Sequence, residues 1–186
     1  MDDVRQQFGT VQILPSDPRW PLLFEQECAL LQAISPNPFA ALEHFGSTAV
    51  SGLPAKPVID ILVAITTPEA LAHAEPALMS LSYRALDVGF QRRRFFRKEA
   101  ATGGVAYHLH AIGVERWADK GERLFRDWLL RDPKTAVDYA RLKKDLARRH
   151  SNNLSAYTRA KTDFIRRVVN LARAERGLLP ETGWNE

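Results

Sequence analysis

Cysteine is almost absent from this sequence of 186 residues, which contains only Cys28, so an internal disulfide is excluded. No apolar run approaches the roughly 18 residues that a membrane-spanning helix needs. The chain begins MDDVRQQ, which is polar and acidic, and we therefore expect no signal peptide, no membrane partner and a cytoplasmic location. The net charge of +4 is small; it permits an anionic ligand but does not indicate a nucleic-acid partner.

Helix and strand signals alternate along the chain. Aspartate or threonine followed by proline marks three helix starts, because such a pair combines a cap with a preferred first residue. With apolar residues at helical spacing, these signals predict helices over 17–33, 67–80, 119–131, 132–150 and 154–176. Apolar runs predict strands over 11–14, 41–45, 57–65, 83–86, 93–98 and 105–112. This order indicates one α/β (α+β) domain over 1–186, with a mixed β-sheet core over about 9–115 and a C-terminal helical layer over about 118–177.

A loop of small residues follows the second predicted strand. Its sequence is GSTAVSGLPAK, in which Gly46, Ser47 and Thr48 begin the loop and Lys56 ends it. Glycine allows a backbone to approach a ligand closely, and the free N–H groups of a short helical turn suit a phosphate. We therefore nominate these four residues as phosphate ligands. The alternative is an ordinary tight turn, which a Gly-Ser pair after a strand also favours.

A lone carboxylate, Asp60, lies inside the apolar run VIDILVAI. Strand alternation places it on the same face as Val58 and Leu62. Because a buried, ionised carboxylate without partners is very costly, two interpretations stay open. Either Asp60 faces a solvated cleft, where it and Ser47 are candidate catalytic residues, or it is held by a cation such as Lys56 or an arginine, by a metal or by backbone donors.

Two further segments carry candidate ligands. The segment VAYHLHAI contains His108 and His110, which share one face of a strand and could hold one metal ion with Asp60 as a third ligand. The basic segment RRRFFRK contains Arg94 and Lys98, which also share a face and could bind a polyphosphate. In both segments, the alternative is a solvated edge strand with ordinary alternation of polar residues.

Several separated motifs together resemble the GrpB family. The family signature is similar to HFGSTAVSGLPAKPVIDILVAI, and the opening of the family is similar to VQILPSDPRWPLLFEQE. Its central strands resemble RRFFRK and HLHAI, and its helical end resembles RDWLLRDPKTAVDYARLKKDLA and AYTRAKTDFI. The likeness covers nearly the whole chain. GrpB domains also occur fused to dephospho-CoA kinase, so the resemblance implies a coenzyme A pathway enzyme as a candidate partner.

The resemblance also implies a nucleotidyltransferase-like fold. In that superfamily, a glycine-serine loop precedes a strand with two acidic residues two apart, and a later strand supplies a third acid. Here Gly46 and Ser47 match the loop and Asp60 matches the first acid, but Leu62 stands at the second. The implied ligands are a nucleoside triphosphate and a divalent metal, Mg, Mn or Zn. A site with a single carboxylate suits one metal ion better than two metal ions.

Three functions remain open from the sequence. They are metal-dependent nucleotidyl transfer to a small molecule or protein side chain, regulatory binding of a nucleotide or other phosphorylated metabolite without catalysis, and single-metal hydrolysis. The sequence does not specify the acceptor, the nucleotide or the oligomeric state. The lysines of the predicted C-terminal helices, which include Lys143, Lys144 and Lys161, are interpreted as ordinary surface residues.

Overall fold

A five-stranded mixed sheet forms the centre of the computed structural model, which describes residues 10–90, 92–102 and 104–182. In chain order, the strands are β1 (Phe39–Phe45), β2 (Val58–Ile65), β3 (Arg84–Ala85), β4 (Arg94–Lys98) and β5 (Ala106–Gly113). Their order in the sheet is β1-β2-β5-β4-β3. The central pair β2 and β5 is parallel, and the other neighbours are antiparallel. The predicted mixed α/β fold class is confirmed.

Six α-helices are described around this sheet. They are α1 (Trp20–Gln32), α2 (Pro68–Ser80), α3 (Gly121–Arg131), α4 (Pro133–Arg149), α5 (Leu154–Ala160) and α6 (Thr162–Glu175). Two of the three predicted caps are confirmed, because Thr67 Oγ1 accepts the Ala70 amide at 3.1 Å and the Asp132 carboxylate accepts amides at the start of α4. Proline follows each confirmed cap, and it costs no hydrogen bond there because the first N–H groups of a helix have no acceptor within the helix. The predicted cap at Asp17 is wrong, since α1 begins at Trp20, and Arg19 before it makes no side-chain cap hydrogen bond. None of the described helices is both long enough and apolar enough to cross a bilayer.

The two faces of the sheet pack against different helices. On one face, Ile59, Ile61 and Val63 of β2 form the main core with residues of α1 and α2. On the other face, Glu43 of β1 forms ion pairs with Arg123 at 2.8 Å and Arg126 at 2.7 Å, both from α3. These partly buried pairs attach the C-terminal helical layer to the sheet. Between the layer and the sheet, a cleft remains.

Three predicted elements differ from the structure. The segment 11–14 makes only one bridge, between Leu14 and Ala55, because the buried Val11 packs instead against Leu146 and Tyr157 of the helical layer. The strand predicted over 83–86 shortens to β3, and the helix predicted over 154–176 is divided at position 161 into α5 and α6. Residue 9, where the sheet core was predicted to begin, lies outside the described residues.

Candidate functional site

The loop after β1 approaches β2 so closely that glycine is required at its start. Gly46 has a φ of +72°, and a Cβ added there would lie 2.4 Å from Asp60 Oδ2. Thr48, in the short turn that follows, donates a hydrogen bond to the Val58 carbonyl at 2.9 Å and lies 2.9 Å from His44 Nε2. The loop is therefore fixed to β2, with its glycine against the carboxylate of Asp60.

Asp60, His108 and His110 come together on the face of the sheet opposite the α1–α2 core. Asp60 and His108 are cross-strand neighbours on β2 and β5, and His108 Nδ1 lies 3.3 Å from Asp60 Oδ1. One potential ligand atom from each of the three residues lies within 4.8 Å of the others. The structure thus brings together the three residues that the sequence nominated as metal ligands, and their role as ligands stays a prediction.

His110 is the most enclosed of the three. Its ring contacts Phe45 and Phe95, and its Nδ1 lies 3.1 Å from Arg93 Nη1. Burial lowers the pKa of His110 well below 6.5, and the charge of Arg93 lowers this pKa further, because both disfavour the imidazolium. His110 is therefore neutral at ordinary pH. His44, which contacts Thr48 of the loop after β1, is neutral for a similar reason, since burial lowers its pKa to about 4.

Two lysines of the helical layer face the same cleft. Lys143 of α4 is buried, donates a hydrogen bond to the Pro54 carbonyl and lies 4.8 Å from the Tyr139 ring centre. Lys161, at the junction of α5 and α6, lies 4.4 Å from the ring centre of Tyr157. The ammonium of each lysine thus rests on an aromatic face, where it gains a modest cation–π attraction.

The charged forms of these lysines are disfavoured in the cleft. Burial lowers the pKa of Lys143 to about 7, and the charge of Lys161 contributes. Burial likewise lowers the pKa of Lys161 to about 7; Lys56 lowers this pKa further, and Asp60 opposes the shift. The pKa of Lys56 is also lowered, mainly by burial. The charged forms of all three amines are thus disfavoured even though Asp60 is close, and a bound anion would favour them.

The cleft that these groups share has a volume of about 560 Å³. Its polar lining includes Gly46, Ser47, Thr48, Lys56, Asp60, His108, His110, Lys143 and Lys161. An apolar part is lined by Phe45, Phe90, Phe95 and Phe125. The volume lies within the range of small-molecule sites, and a mostly apolar wall with a few convergent polar groups is typical of them.

Arg94 and Lys98 lie on the other side of the sheet, which corrects the prediction that they contribute to this cleft. Because Phe95 contacts His108 and His110, its neighbours in β4 must point to the opposite face. Arg94 pairs there with Glu75 of α2 at 2.6 Å. Lys98 Nζ lies 3.0 and 2.8 Å from the two carboxylate oxygens of Glu27 in α1. Both residues therefore attach helices to the sheet.

Besides Lys56, which was predicted as a phosphate ligand, the cleft contains two lysines that the sequence patterns assigned to the surface. Tyr139 and Lys143 are four residues apart in α4, and Tyr157 and Lys161 are four residues apart at the end of α5. Residues at this spacing meet on one helix face. Two Tyr-x-x-x-Lys pairs on successive predicted helices could have indicated a shared binding face, but only the fold shows that both pairs face Asp60.

The site residues suit one divalent cation better than two. Among the described residues, the carboxylates that line the cleft are Asp60 and Glu122, and Glu122 is already paired with Arg93 and Lys120. Leu62, at the position of the second acid, is fully buried. A two-metal centre needs several anionic oxygens, whereas one cation can be shared between one or two protein ligands and the phosphates of a substrate.

Comparison with known proteins identifies the family. A sequence model described as GrpB protein matches residues 10–171, which is most of the chain. The chain belongs to the GrpB family. A UPF0157 protein of Pseudomonas aeruginosa is 36% identical over 88% of this chain and 68% of its own length. The glutamate-rich protein GrpB of Alkalihalophilus pseudofirmus is 31% identical over 87% of this chain and 95% of its own length.

Other GrpB relatives are longer proteins. A dephospho-CoA kinase of Mycolicibacterium paratuberculosis is 29% identical over 84% of this chain, which spans 44% of that kinase.

Among solved structures, the GrpB protein of Enterococcus faecalis has a TM-score of 0.79, with 28% identity over 89% of this chain and 99% of that one. The Cid1 poly(U) polymerase has a TM-score of 0.53 at 17% identity, over 80% of this chain and 49% of that one. This second likeness concerns the fold alone, and it confirms a nucleotidyltransferase-like fold.

Proposed function

We propose that the cleft binds a nucleoside triphosphate or a similarly phosphorylated metabolite, with its phosphates against the lysines. One observation carries this proposal: the amines of Lys56, Lys143 and Lys161 share one cleft. Among the described residues that line this cleft, Asp60 is the only carboxylate that is not already paired with basic side chains. Each amine pays a desolvation cost that a phosphate would offset. The amides of the Gly46–Ser47 turn add donors of the kind that suits phosphate oxygens.

The proposed chemistry is metal-dependent nucleotidyl transfer with a single cation. Asp60 and His108 would hold a cation such as Mg, Mn or Zn, which would offset negative charge on the phosphates. The lysines would orient the phosphates and stabilise the charge of the departing pyrophosphate. The aromatic side of the cleft would exclude water from the reacting group. The acceptor would enter from the open side of the cleft.

A second proposal is a module that binds the same ligand without transferring it. The buried Leu62 favours this alternative, because it removes a carboxylate that the superfamily's two-metal chemistry uses. The kinase relatives suggest the partner, since their names assign them to dephospho-CoA and they contain a region similar to this chain. In this proposal, the domain would respond to a phosphorylated metabolite and regulate a coenzyme A enzyme.

Calorimetry and product analysis together test both proposals. We expect inorganic tripolyphosphate and nucleoside triphosphates to bind, and Lys143→Met to weaken binding by about tenfold or more through the loss of one ionic contact. Lys144→Met is the matched control, because Lys144 is an exposed neighbour on the same helix. Pyrophosphate release that needs a divalent cation and Asp60 supports transfer. Binding without release supports the module, and no binding by any triphosphate refutes both.

A further inference from the structure

His110 is held by an ionic chain that extends to α3. Its Nδ1 accepts a hydrogen bond from Arg93 Nη1 at 3.1 Å. Arg93 forms an ion pair with one carboxylate oxygen of Glu122, and Lys120 Nζ lies 3.7 Å from the other oxygen. The guanidinium of Arg93 also lies 4.8 Å from the ring centre of Phe90. The side chains of Arg93 and Lys120 are each 7% exposed, so water competes little with these contacts.

The contact with Arg93 decides which ring nitrogen of His110 carries the hydrogen. A guanidinium has N–H donors and no acceptor, so the nitrogen that faces it must offer a lone pair. In neutral His110 the hydrogen is therefore on Nε2. That N–H makes no hydrogen bond within the described parts of the chain, although His110 lines the cleft. A nitrogen that carries a hydrogen has no lone pair for a metal ion.

Nδ1 is not free to bind a metal ion either. For that, the N–H of Arg93 would have to leave, together with its ion pair to Glu122 and its packing on Phe90. Breaking a buried pair leaves an uncompensated charge, which costs several kcal/mol. The present arrangement therefore opposes metal binding through both nitrogens of His110.

We propose that His110 is a neutral N–H donor to an oxygen of the bound ligand, and that Arg93 is the positioning residue that fixes its tautomer. The protein ligands of a cation in this cleft are then Asp60 and His108 alone. The identity of the accepting oxygen, a phosphoryl oxygen, rests on the proposed function. The tautomer and the composition of the cation site do not.

Nuclear magnetic resonance of the ligand-free protein tests the tautomer directly. The protein has five histidines, and the His110 signals can be assigned by their loss in His110→Gln. Two-bond proton–nitrogen correlations should show the hydrogen of His110 on Nε2. In Arg93→Met the preference for Nε2 should weaken or reverse. A hydrogen on Nδ1 in the wild-type protein overturns the proposal, whatever the protein binds.

Titration with Zn²⁺ alone tests the composition of the cation site. Loss of a true ligand should weaken zinc binding by more than about tenfold, which we expect for Asp60→Asn and His108→Gln but not for His110→Gln. Arg93→Met should strengthen zinc binding, because it releases His110 Nδ1; a purely structural role for Arg93 predicts no gain. If Arg93→Met does not fold, the double variant Arg93→Met/Glu122→Leu removes the stranded carboxylate as well. Weaker zinc binding in His110→Gln contradicts the proposal.

Binding of tripolyphosphate tests the donor role. Glutamine can accept from Arg93 with its oxygen and donate with its nitrogen, so His110→Gln should keep near wild-type affinity. His110→Phe keeps the ring and loses the donor, and we expect its affinity to fall by about tenfold. Equal losses in both variants contradict a donor role. Absence of binding by tripolyphosphate and by every nucleoside triphosphate would refute the proposed function and the donor role together, but not the tautomer.

Discussion

Phosphate binding in the cleft should take up protons, and the amount follows from the lysines. Burial holds the pKa of Lys143 and of Lys161 at about 7 in the free protein, with a further lowering by Lys161 on Lys143 and by Lys56 on Lys161. A phosphate charge about 4 Å from an ammonium is worth about 4 kcal/mol at an effective dielectric constant of about 20. Since one pKa unit corresponds to about 1.4 kcal/mol, a bound phosphate should raise each pKa by about 3 units.

The sign of the pH dependence follows from these two states. Well below pH 7 both lysines are already charged without ligand, so they add no pH dependence to phosphate affinity there. Above that pH, each lysine must take up a proton when phosphate binds, and affinity should fall by about tenfold per pH unit for each lysine until about pH 10. Near pH 8.5, the two lysines together should take up nearly two protons (about 0.9 each).

Calorimetry in two buffers with different ionisation enthalpies measures this uptake. Lys161→Met should lower proton uptake by about one, and the exposed control Lys144→Met should leave it unchanged. Lys56, Asp60 and two tyrosines also face these amines, so the difference between variants is more informative than the total. Equal uptake in wild type and Lys161→Met, with binding still detectable, would refute the assignment of this proton to Lys161.

Three further predictions concern the fold around the site. Gly46→Ala should displace the Asp60 carboxylate, which its Cβ would approach to 2.4 Å, and should abolish cation binding while circular dichroism stays native. Leu62→Ala should lower the free energy of unfolding by about 2–5 kcal/mol. Leu62→Asp should lower it by more, because water cannot reach a charge at this fully buried position. Urea denaturation measures both changes, and a Leu62→Asp variant as stable as the wild type would contradict the burial of Leu62. Lys98→Met should lower the free energy of unfolding by about 3 kcal/mol, because it leaves the buried Glu27 carboxylate without its partner. The double variant Lys98→Met/Glu27→Gln should regain most of this stability. Unchanged stability in Lys98→Met would contradict an ion pair between Lys98 and Glu27.

Local patterns in the sequence predicted the sheet side of the site. Gly46 and Asp60 belong to neighbouring elements joined by a short loop, and strand alternation put His108 and His110 on one face. The same alternation grouped Arg94 with Lys98, but it could not decide which face of the sheet they occupy, because both faces are covered by helices. The single-helix prediction over 154–176 failed at Lys161, where α5 and α6 meet.

The helical side of the site could not be predicted because it depends on long-range packing. Lys143 lies far along the chain from the Pro54 carbonyl to which it donates a hydrogen bond. Contacts between residues far apart in the chain, such as the ion pairs of Glu43 with α3, place the helical layer over this face of the sheet. A lysine on an amphipathic helix is usually solvated, so its sequence context gave no reason to place it in a cleft.

The substitution at the second acidic position changes the chemistry that this fold can support. Leu62 packs with Phe45 and Ile112, and Trp117 covers the group, so a part of the sheet that would carry a second carboxylate is an apolar core instead. The lining of the cleft includes three lysines, and one of its carboxylates, Glu122, is already paired with Arg93 and Lys120. In the phosphate complex proposed above, the lysines of the helical layer would offset the charge that a second cation would otherwise offset. Because the pKa of Lys143 and of Lys161 is about 7 in the free protein, the proposed ligand would complete the protonation of both lysines when it binds above that pH.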